Sequence, residues 1–257
     1  ALLGSGVTIG IALCATSMVY IYFDPMLDAQ TVGQSFFAFL GSYSLMAVPL
    51  FIFAGFLMER TGMVRQLFQF AESLVSWIRG GFGLATVSTC VMFSAISGSS
   101  VAVASAMSLI AIPEMRKRKY PDWMSAGIVA SGGGIGLLIP PSLSLIIYGV
   151  ATETSIVRLF MAGVVPGLLL AFGMYVIIII AASRVSTLVP GKFDIAVLLK
   201  STWSALPGLG MPVLVLGGLY GGLFTPTEAA AAACGYALLY GLTSKRGEFL
   251  RELLPVA

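Results

Sequence analysis

Two interruptions of apolar sequence carry the only chemistry this chain offers. Ser97-Gly98-Ser99-Ser100 breaks the apolar run from Phe82 to Pro113, and Gly132-Gly133-Gly134-Ile135-Gly136 followed by Pro140-Pro141-Ser142 breaks the run from Met124 to Val150. Hydroxyls and bare main-chain groups are what such residues expose. Freed carbonyls and Ser hydroxyls are hard oxygen ligands for a small cation such as Na⁺. A helix restarting near Ser99 aims backbone N–H groups and a positive dipole end outward, which suits an anion. Each helical glycine destabilises by about 1 kcal/mol and each proline by about 3, so Met124–Val150 is predicted to break in its middle. Carbonyls freed there cannot face lipid; they face protein, water or an ion. The other reading is a packing kink whose small residues let helices approach closely.

What is missing narrows the chemistry further. The chain has no His and no Asn. That removes His metal sites, Ser-His and Cys-His nucleophiles and His proton relays. Cys14, Cys90 and Cys234 each stand alone in apolar sequence, read as small core- or lipid-facing residues. No carboxylate lies in either interruption; Glu114 and Asp122 flank them, where solvation accounts for both. Proton coupling would call for a membrane-embedded acid, so its absence favours Na⁺ over H⁺. There is no GxxxxGK[ST]. The Gly-rich run lies inside an apolar helix rather than after a strand, which excludes a dinucleotide site. With no nucleophile–base pair, the chain is read as a non-enzyme.

The elements that position these residues belong to a membrane. Of 257 residues, 58% are hydrophobic and 10% charged, against about 25% charged in a soluble domain. Soluble, disordered and nucleic-acid-binding classes are excluded, leaving an all-α polytopic membrane protein. Continuous rather than alternating apolar runs argue against a β-barrel. The chain starts at Ala1 inside an apolar run without Met and stops soon after a new polar segment, so it is expected to be part of a longer protein. Its first segment lacks the charged start of a signal peptide and is read as a membrane helix.

Leu2–Phe23 is the first apolar segment. The second, Leu45–Met58, can be extended from Phe36. Residues 61–79 are amphipathic: Val64, Leu67, Phe68, Ala71, Val75 and Ile78 on one face, and Arg65, Gln66, Gln69, Glu72, Ser73, Ser76 and Arg79 on the other. Such a helix suits the membrane surface or a bracing arm. Phe82–Pro113 has basic residues at both ends, Arg79 and Arg116-Lys117-Arg118-Lys119. Its two halves reach roughly 20 Å each against a ~30 Å hydrocarbon core. A hairpin that enters from the cytoplasm and returns at a Ser/Gly tip meets both constraints; the alternative is one long tilted helix. Leu159–Ser183 and Leu206–Phe224 are further spans, separated by a polar connector, Val185–Ala205. In Thr225-Pro226-Thr227-Glu228, Thr227 is expected to cap the Ala-rich helix that follows. Basic segments 60–79, 116–119, 184–205 and 245–251 go to the cytoplasmic side; 24–34, 151–155 and 225–228 go outside, with Arg158 as the exception.

Four ordered stretches carry a family resemblance: MAVPLFIFAGFLMERTG (46–62), FSAISGSSVAVASAMSLIAIPEMRKRKYP (93–121), GIGLLIPPSLSLIIYGVATETSIVRLFMAGVVPGLLLA (134–171) and GGLFTPTEAAAAACGYALLYGL (221–242). Over essentially its whole length the chain resembles the N-terminal portion of the large membrane subunit of TRAP transporters, the DctM-like family of tripartite ATP-independent periplasmic transporters.

The resemblance implies an ion-transporter-superfamily fold of two inverted repeats, each with a re-entrant hairpin and a broken helix. It implies scaffold helices and an arm over 1–81, transport elements over 82–157 (hairpin 82–113, broken helix 124–150), a transmembrane helix and cytoplasmic connector over 158–205, and the start of the second repeat over 206–257. It further implies elevator-type, Na⁺-coupled import of an organic acid such as a C4-dicarboxylate or sialic acid across the bacterial inner membrane. A small four-helix membrane subunit and a periplasmic substrate-binding protein would be its partners. Carried onto this chain, Na⁺ would meet Ser97, Gly98, Ser99, Gly136, Ile139 and Pro140, and substrate would meet Ser99, Ser100, Pro141 and Ser142. The second hairpin and second broken helix would follow Ala257. Many members carry an acid just after the tip, where this chain has Val101-Ala102-Val103. The alternatives are a dicarboxylate or citrate carrier of the same superfamily that works without a binding protein, and a non-transporting scaffold.

Overall fold

The computed structural model describes residues 8–23, 29–191 and 193–244, and every regular element among them is a helix. The chain divides into two compact units, Ala1–Ser42 and Tyr43–Ala257. The first holds α1 (Ile9–Phe23) and α2 (Ala29–Leu40). Thr16 in α1 donates its hydroxyl to the Ala12 carbonyl at 2.7 Å, the usual way a Ser or Thr inside an apolar helix satisfies its hydroxyl. The expected extension of the second span back to Phe36 does not occur. α2 ends at Leu40, and a 3₁₀ turn, Tyr43–Met46, precedes α3 (Ala47–Arg60).

The second unit continues with α4 (Met63–Val75), α5 (Gly81–Ser97), α6 (Ser100–Lys117), α7 (Asp122–Ile135), α8 (Leu143–Ala151), α9 (Ile156–Arg184), α10 (Ile195–Tyr220) and α11 (Pro226–Ser244). Among the described residues, three helical stretches are long and apolar enough to cross a membrane: Tyr43–Arg60, Ile156–Arg184 and Ile195–Tyr220. Along α9, Val165, Leu169 and Phe172 are 63%, 65% and 64% exposed. A continuous outward apolar stripe of this kind is tolerable only in lipid or against another protein. Closed helices satisfy their own backbone, which is what hydrocarbon requires. The protein is an α-helical membrane protein.

The apolar face of the amphipathic 61–79 segment packs against neighbouring helices. α4 buries Met63, Val64, Leu67, Phe68 and Ala71 against α5 and α10. Ser73, assigned to the polar face, is buried instead: its hydroxyl shares a 2.7 Å hydrogen bond with that of Ser201 on α10. The span expected from Leu206 begins earlier. Asp194 Oδ1 accepts hydrogen bonds from the amides of Ala196 (2.8 Å) and Val197 (3.4 Å), so the N-cap is the tenth residue of the presumed connector. α11 is capped by Thr225, not Thr227. The Thr225 amide donates to Glu228 Oε2 at 2.8 Å, and the Glu228 amide donates to Thr225 Oγ1 at 3.3 Å, a reciprocal capping box. Thr227 reaches away to the Tyr43 carbonyl at 3.1 Å.

Of the basic segments assigned to one side, 60–79, 116–119 and 184–205 meet at one end of the second unit; 245–251 lies outside the described residues. Arg118 pairs with Glu72 of the arm at 2.6 Å, and its guanidinium stacks 4.1 Å over the Phe82 ring. Arg79 Nε donates to the Leu188 carbonyl at 3.0 Å, Gly191 N to the Ser76 carbonyl at 2.8 Å, and Thr187 Oγ1 to the Lys119 carbonyl at 3.1 Å. The 225–228 turn lies instead with the 3₁₀ turn at Tyr43.

Candidate ion and substrate site

α5 ends at Ser97, and Gly98 turns the chain with φ +58°, a left-handed conformation that glycine adopts without a Cβ penalty. Ser99 is extended (φ −120°, ψ 118°) and caps α6, its Oγ accepting from the Ala102 amide at 3.4 Å. The far ends of the two helices return to one another. The Gly83 amide donates to the Tyr120 hydroxyl at 3.2 Å, and the Phe82 and Tyr120 rings lie 6.4 Å apart. Residues 81–117 therefore form a helical hairpin with a two-residue tip, not one rod.

The second interruption is a true break. The last turn of α7 tightens as the amides of Gly136, Leu137 and Leu138 bond three residues back, to Gly133, Gly134 and Ile135. Pro140 and Pro141 bring no donors. Ser142 is extended (φ −111°, ψ 129°) before α8, and its hydroxyl donates to the Leu137 carbonyl at 2.8 Å. The glycines at 132–134 remain helical, so the prolines and not the Gly run end the helix. Those glycines serve packing. A Cβ on Gly132 would stand 2.7 Å from Cys90 Sγ, and one on Gly133 would stand 2.8 Å from the Ala104 Cβ. They let α5 and α6 close on α7.

Tip and break are in direct contact. The Leu143 amide donates to the Gly98 carbonyl at 3.1 Å. A Cβ on Gly98 would run into the Pro141 carbonyl oxygen, and one on Gly136 would lie 3.1 Å from the Ser100 amide nitrogen. Four helix ends thus converge: the C-termini of α5 and α7, and the N-termini of α6 and α8. Carbonyl ends carry partial negative charge and amide ends partial positive charge, so one junction holds the elements of a cation site and of an anion site.

The two interruptions singled out in the sequence are thereby brought together. Ser97, Gly98, Gly136, Ile139, Pro140, Pro141 and Ser142 are buried; Ser99 and Ser100 are half-buried. Among the described residues no backbone amide donates to the carbonyls of Gly136, Ile139 or Pro140. The hydroxyls of Ser94 and Ser97 are buried with no hydrogen-bond partner. Orphaned buried hydroxyls are uncommon, and an oxygen-ligated cation is one way to satisfy them. Ser94 was not singled out in the sequence; one turn before Ser97 on α5, it reads as an ordinary core position. Gly55 of α3 was missed as well. It lies against the tip, where a Cβ would come 3.0 Å from the Ser97 Cβ. No titratable side chain lies in 97–100 or 136–142, and among the described residues no three of His, Cys, Asp and Glu come together. The donor set is neutral oxygen only, which fits a small hard monovalent cation better than a transition metal.

A broken-helix membrane protein whose interruptions meet in its interior is built like a secondary transporter. The chain matches, over residues 1–256, the family described as tripartite ATP-independent periplasmic transporter, DctM component, and it belongs to that family. It is 41% identical over 234 residues to the C4-dicarboxylate TRAP transporter large permease protein DctM of Vibrio cholerae, covering 90% of this chain and 51% of that protein. It is 44% identical over 210 residues to the protein of the same name from Pseudomonas aeruginosa (82% and 49%). It is 35% identical over 240 residues to the sialic acid TRAP transporter large permease protein SiaM of Vibrio cholerae (93% and 56%). The chain spans about half the length of the curated relatives it matches. These relatives are transporter permeases and not enzymes, in keeping with the absence of a nucleophile–base pair from the sequence.

Proposed function

We propose that this chain provides the first repeat of a Na⁺-coupled permease that imports an organic anion, a C4-dicarboxylate or a sialic-acid-like acid, across the bacterial inner membrane. The observation that carries this reading is the contact between the Gly98 carbonyl and the Leu143 amide, which sets four helix ends around one point. Na⁺ is held at the carbonyl ends by Gly136, Ile139 and Pro140 together with Ser97, Gly98 and Ser99. The anion is taken at the amide ends by Ser99, Ser100, Pro141 and Ser142. α5 is about 25 Å long, so a hairpin entering at the basic end carries its tip deep into a ~30 Å core and returns without crossing it. Residues 82–157 move as a transport body against a scaffold that includes 1–81, in an elevator stroke, while 158–205 and 206–257 lead into the second repeat. A small four-helix membrane subunit and a periplasmic binding protein complete the transporter.

Na⁺ adds differential binding energy. Bound only when tip and break are together, it favours the closed junction by its own affinity for that state. The test is uptake by the full-length protein with both partners in proteoliposomes, under inward Na⁺ or K⁺ gradients. Uptake driven by Na⁺ alone and dependent on the binding protein is expected. Equal uptake with K⁺ would overturn Na⁺ coupling. Uptake without the binding protein would favour an autonomous carrier, and no uptake together with Na⁺-insensitive stability would favour a scaffold.

A further inference from the structure

An apolar groove runs between α7 and α9, away from the tip and break. Trp123, Gly127 and Ser131 line one wall at i, i+4, i+8 spacing; Met174, Ile177 and Ala181 line the other. A Cβ on Gly127 would meet nothing within 4 Å, so the groove is open there. Continuing the α9 stripe by three residues brings Arg184 to its end, and Lys119 lies four residues before Trp123. The Thr187 Oγ1 bond to the Lys119 carbonyl holds these two ends together. The groove therefore opens at the basic end of the unit.

The charges at that mouth are unbalanced. Arg116 is paired with Asp122 at 2.8 Å, Lys117 with Glu114 at 3.1 Å, and Arg118 with Glu72 and Glu114. Lys119, Arg184 and Arg79 have no carboxylate partner among the described residues. Trp123, 68% exposed, stands where a membrane–water interface places an indole. From Trp123 to Ser131 the groove is about 12 Å long, close to the ~15 Å depth of one leaflet.

We infer that this groove binds one acyl chain of an anionic phospholipid, with the headgroup phosphate held between Lys119 and Arg184. Apolar length, a cationic mouth and an interfacial indole together match that molecule, whereas a zwitterionic headgroup brings its own ammonium, which opposes Lys119 and Arg184 and cancels the net attraction. The site is independent of the ion and substrate junction, so it stands or falls apart from the transport reading.

The test uses the full-length protein with Phe at every tryptophan other than Trp123. It is reconstituted in bilayers containing phosphatidylglycerol or phosphatidylcholine brominated on the acyl chain. The Trp123 fluorescence should be quenched by the phosphatidylglycerol with roughly thirtyfold preference, as two headgroup-facing cations at about 1 kcal/mol each provide. Lys119→Gln with Arg184→Gln, both exposed, should abolish the preference without unfolding the protein. Gly127→Leu, filling open space, should lower quenching by either lipid. Equal quenching by both lipids would overturn the proposal. So would a preference that survives the double substitution, or no quenching at all, which would mean that a protein segment covers the groove.

Discussion

The Gly98 carbonyl and the Leu143 amide, 45 positions apart in sequence, are joined by a 3.1 Å hydrogen bond. Through it the tip of one helical hairpin is held to the restart of a broken helix. The contact joins the irregular, buried tip residue Gly98 to the first residue of α8, so it fixes the register of the tip against the helix that restarts after the break. Beside it, among the described residues, the carbonyls of Gly136, Ile139 and Pro140 have no backbone donors.

Gly98→Ala is expected to be disruptive. Its φ of +58° disfavours any L side chain by about 1–2 kcal/mol, and the added Cβ meets the Pro141 oxygen besides. The full-length protein should lose thermal stability in detergent by at least that amount. It should also lose any stabilisation by Na⁺ over K⁺. A wild-type midpoint and Na⁺ response would show that the tip does not close as described.

The Gly run separates by position. Gly133→Val forces a β-carbon against Ala104 and should cost about 1–3 kcal/mol as overpacking. A Cβ at Gly134 meets nothing within 4 Å, so Gly134→Ala should be neutral or stabilise by up to about 1 kcal/mol. Paired denaturation midpoints check the contrast, and equal losses would contradict the packing role assigned to Gly133.

Pro140→Ala restores a backbone donor inside the break. It should weaken the apparent Na⁺ affinity for uptake while leaving expression intact. Unchanged Na⁺ dependence would count against the ligand set placed at 136–140.

The α11 capping box should respond to pH. The amide and hydroxyl of Thr225, donating to the Glu228 carboxylate, hold its pKa below the usual range. A depressed folded pKa contributes stability that is present above the ordinary carboxylate pKa and is lost as pH falls through the lower folded value. Glu228→Gln should remove that acid-limb slope from a plot of melting midpoint against pH. Thr225→Ala should cost about 0.5–2 kcal/mol. A slope that persists in Glu228→Gln would assign it to another group.

Much of this was legible because membrane helices are punctuated by few residue types. Ser97–Ser100 and Pro140–Ser142 stand out as polar or donor-poor positions in apolar sequence, and basic residues at both ends of 82–113, Arg79 and Arg116–Lys119, favour a common side for the two ends. What stayed hidden depended on tertiary contact. Ser73 looked like a solvated face until Ser201 of α10 covered it. Asp194 was lost in a polar stretch because a cap is defined by the amides it accepts, not by its neighbours. The glycines at 132–134 weaken a helix in isolation, yet close approach of Cys90 and Ala104 offsets that cost and keeps them helical. Ser94 carries no signal at all beyond being a serine in an apolar helix.

The central claim, that residues 81–117 enter and leave the bilayer on one side, is tested most directly by labelling. Arg79→Cys and Lys117→Cys, each introduced singly after Cys14, Cys90 and Cys234 are replaced by Ala, are exposed to a membrane-impermeant thiol reagent in right-side-out and inverted vesicles. Both cysteines should label from the same compartment, in inverted vesicles only. Labelling of the two from opposite compartments would contradict the hairpin and everything built on it.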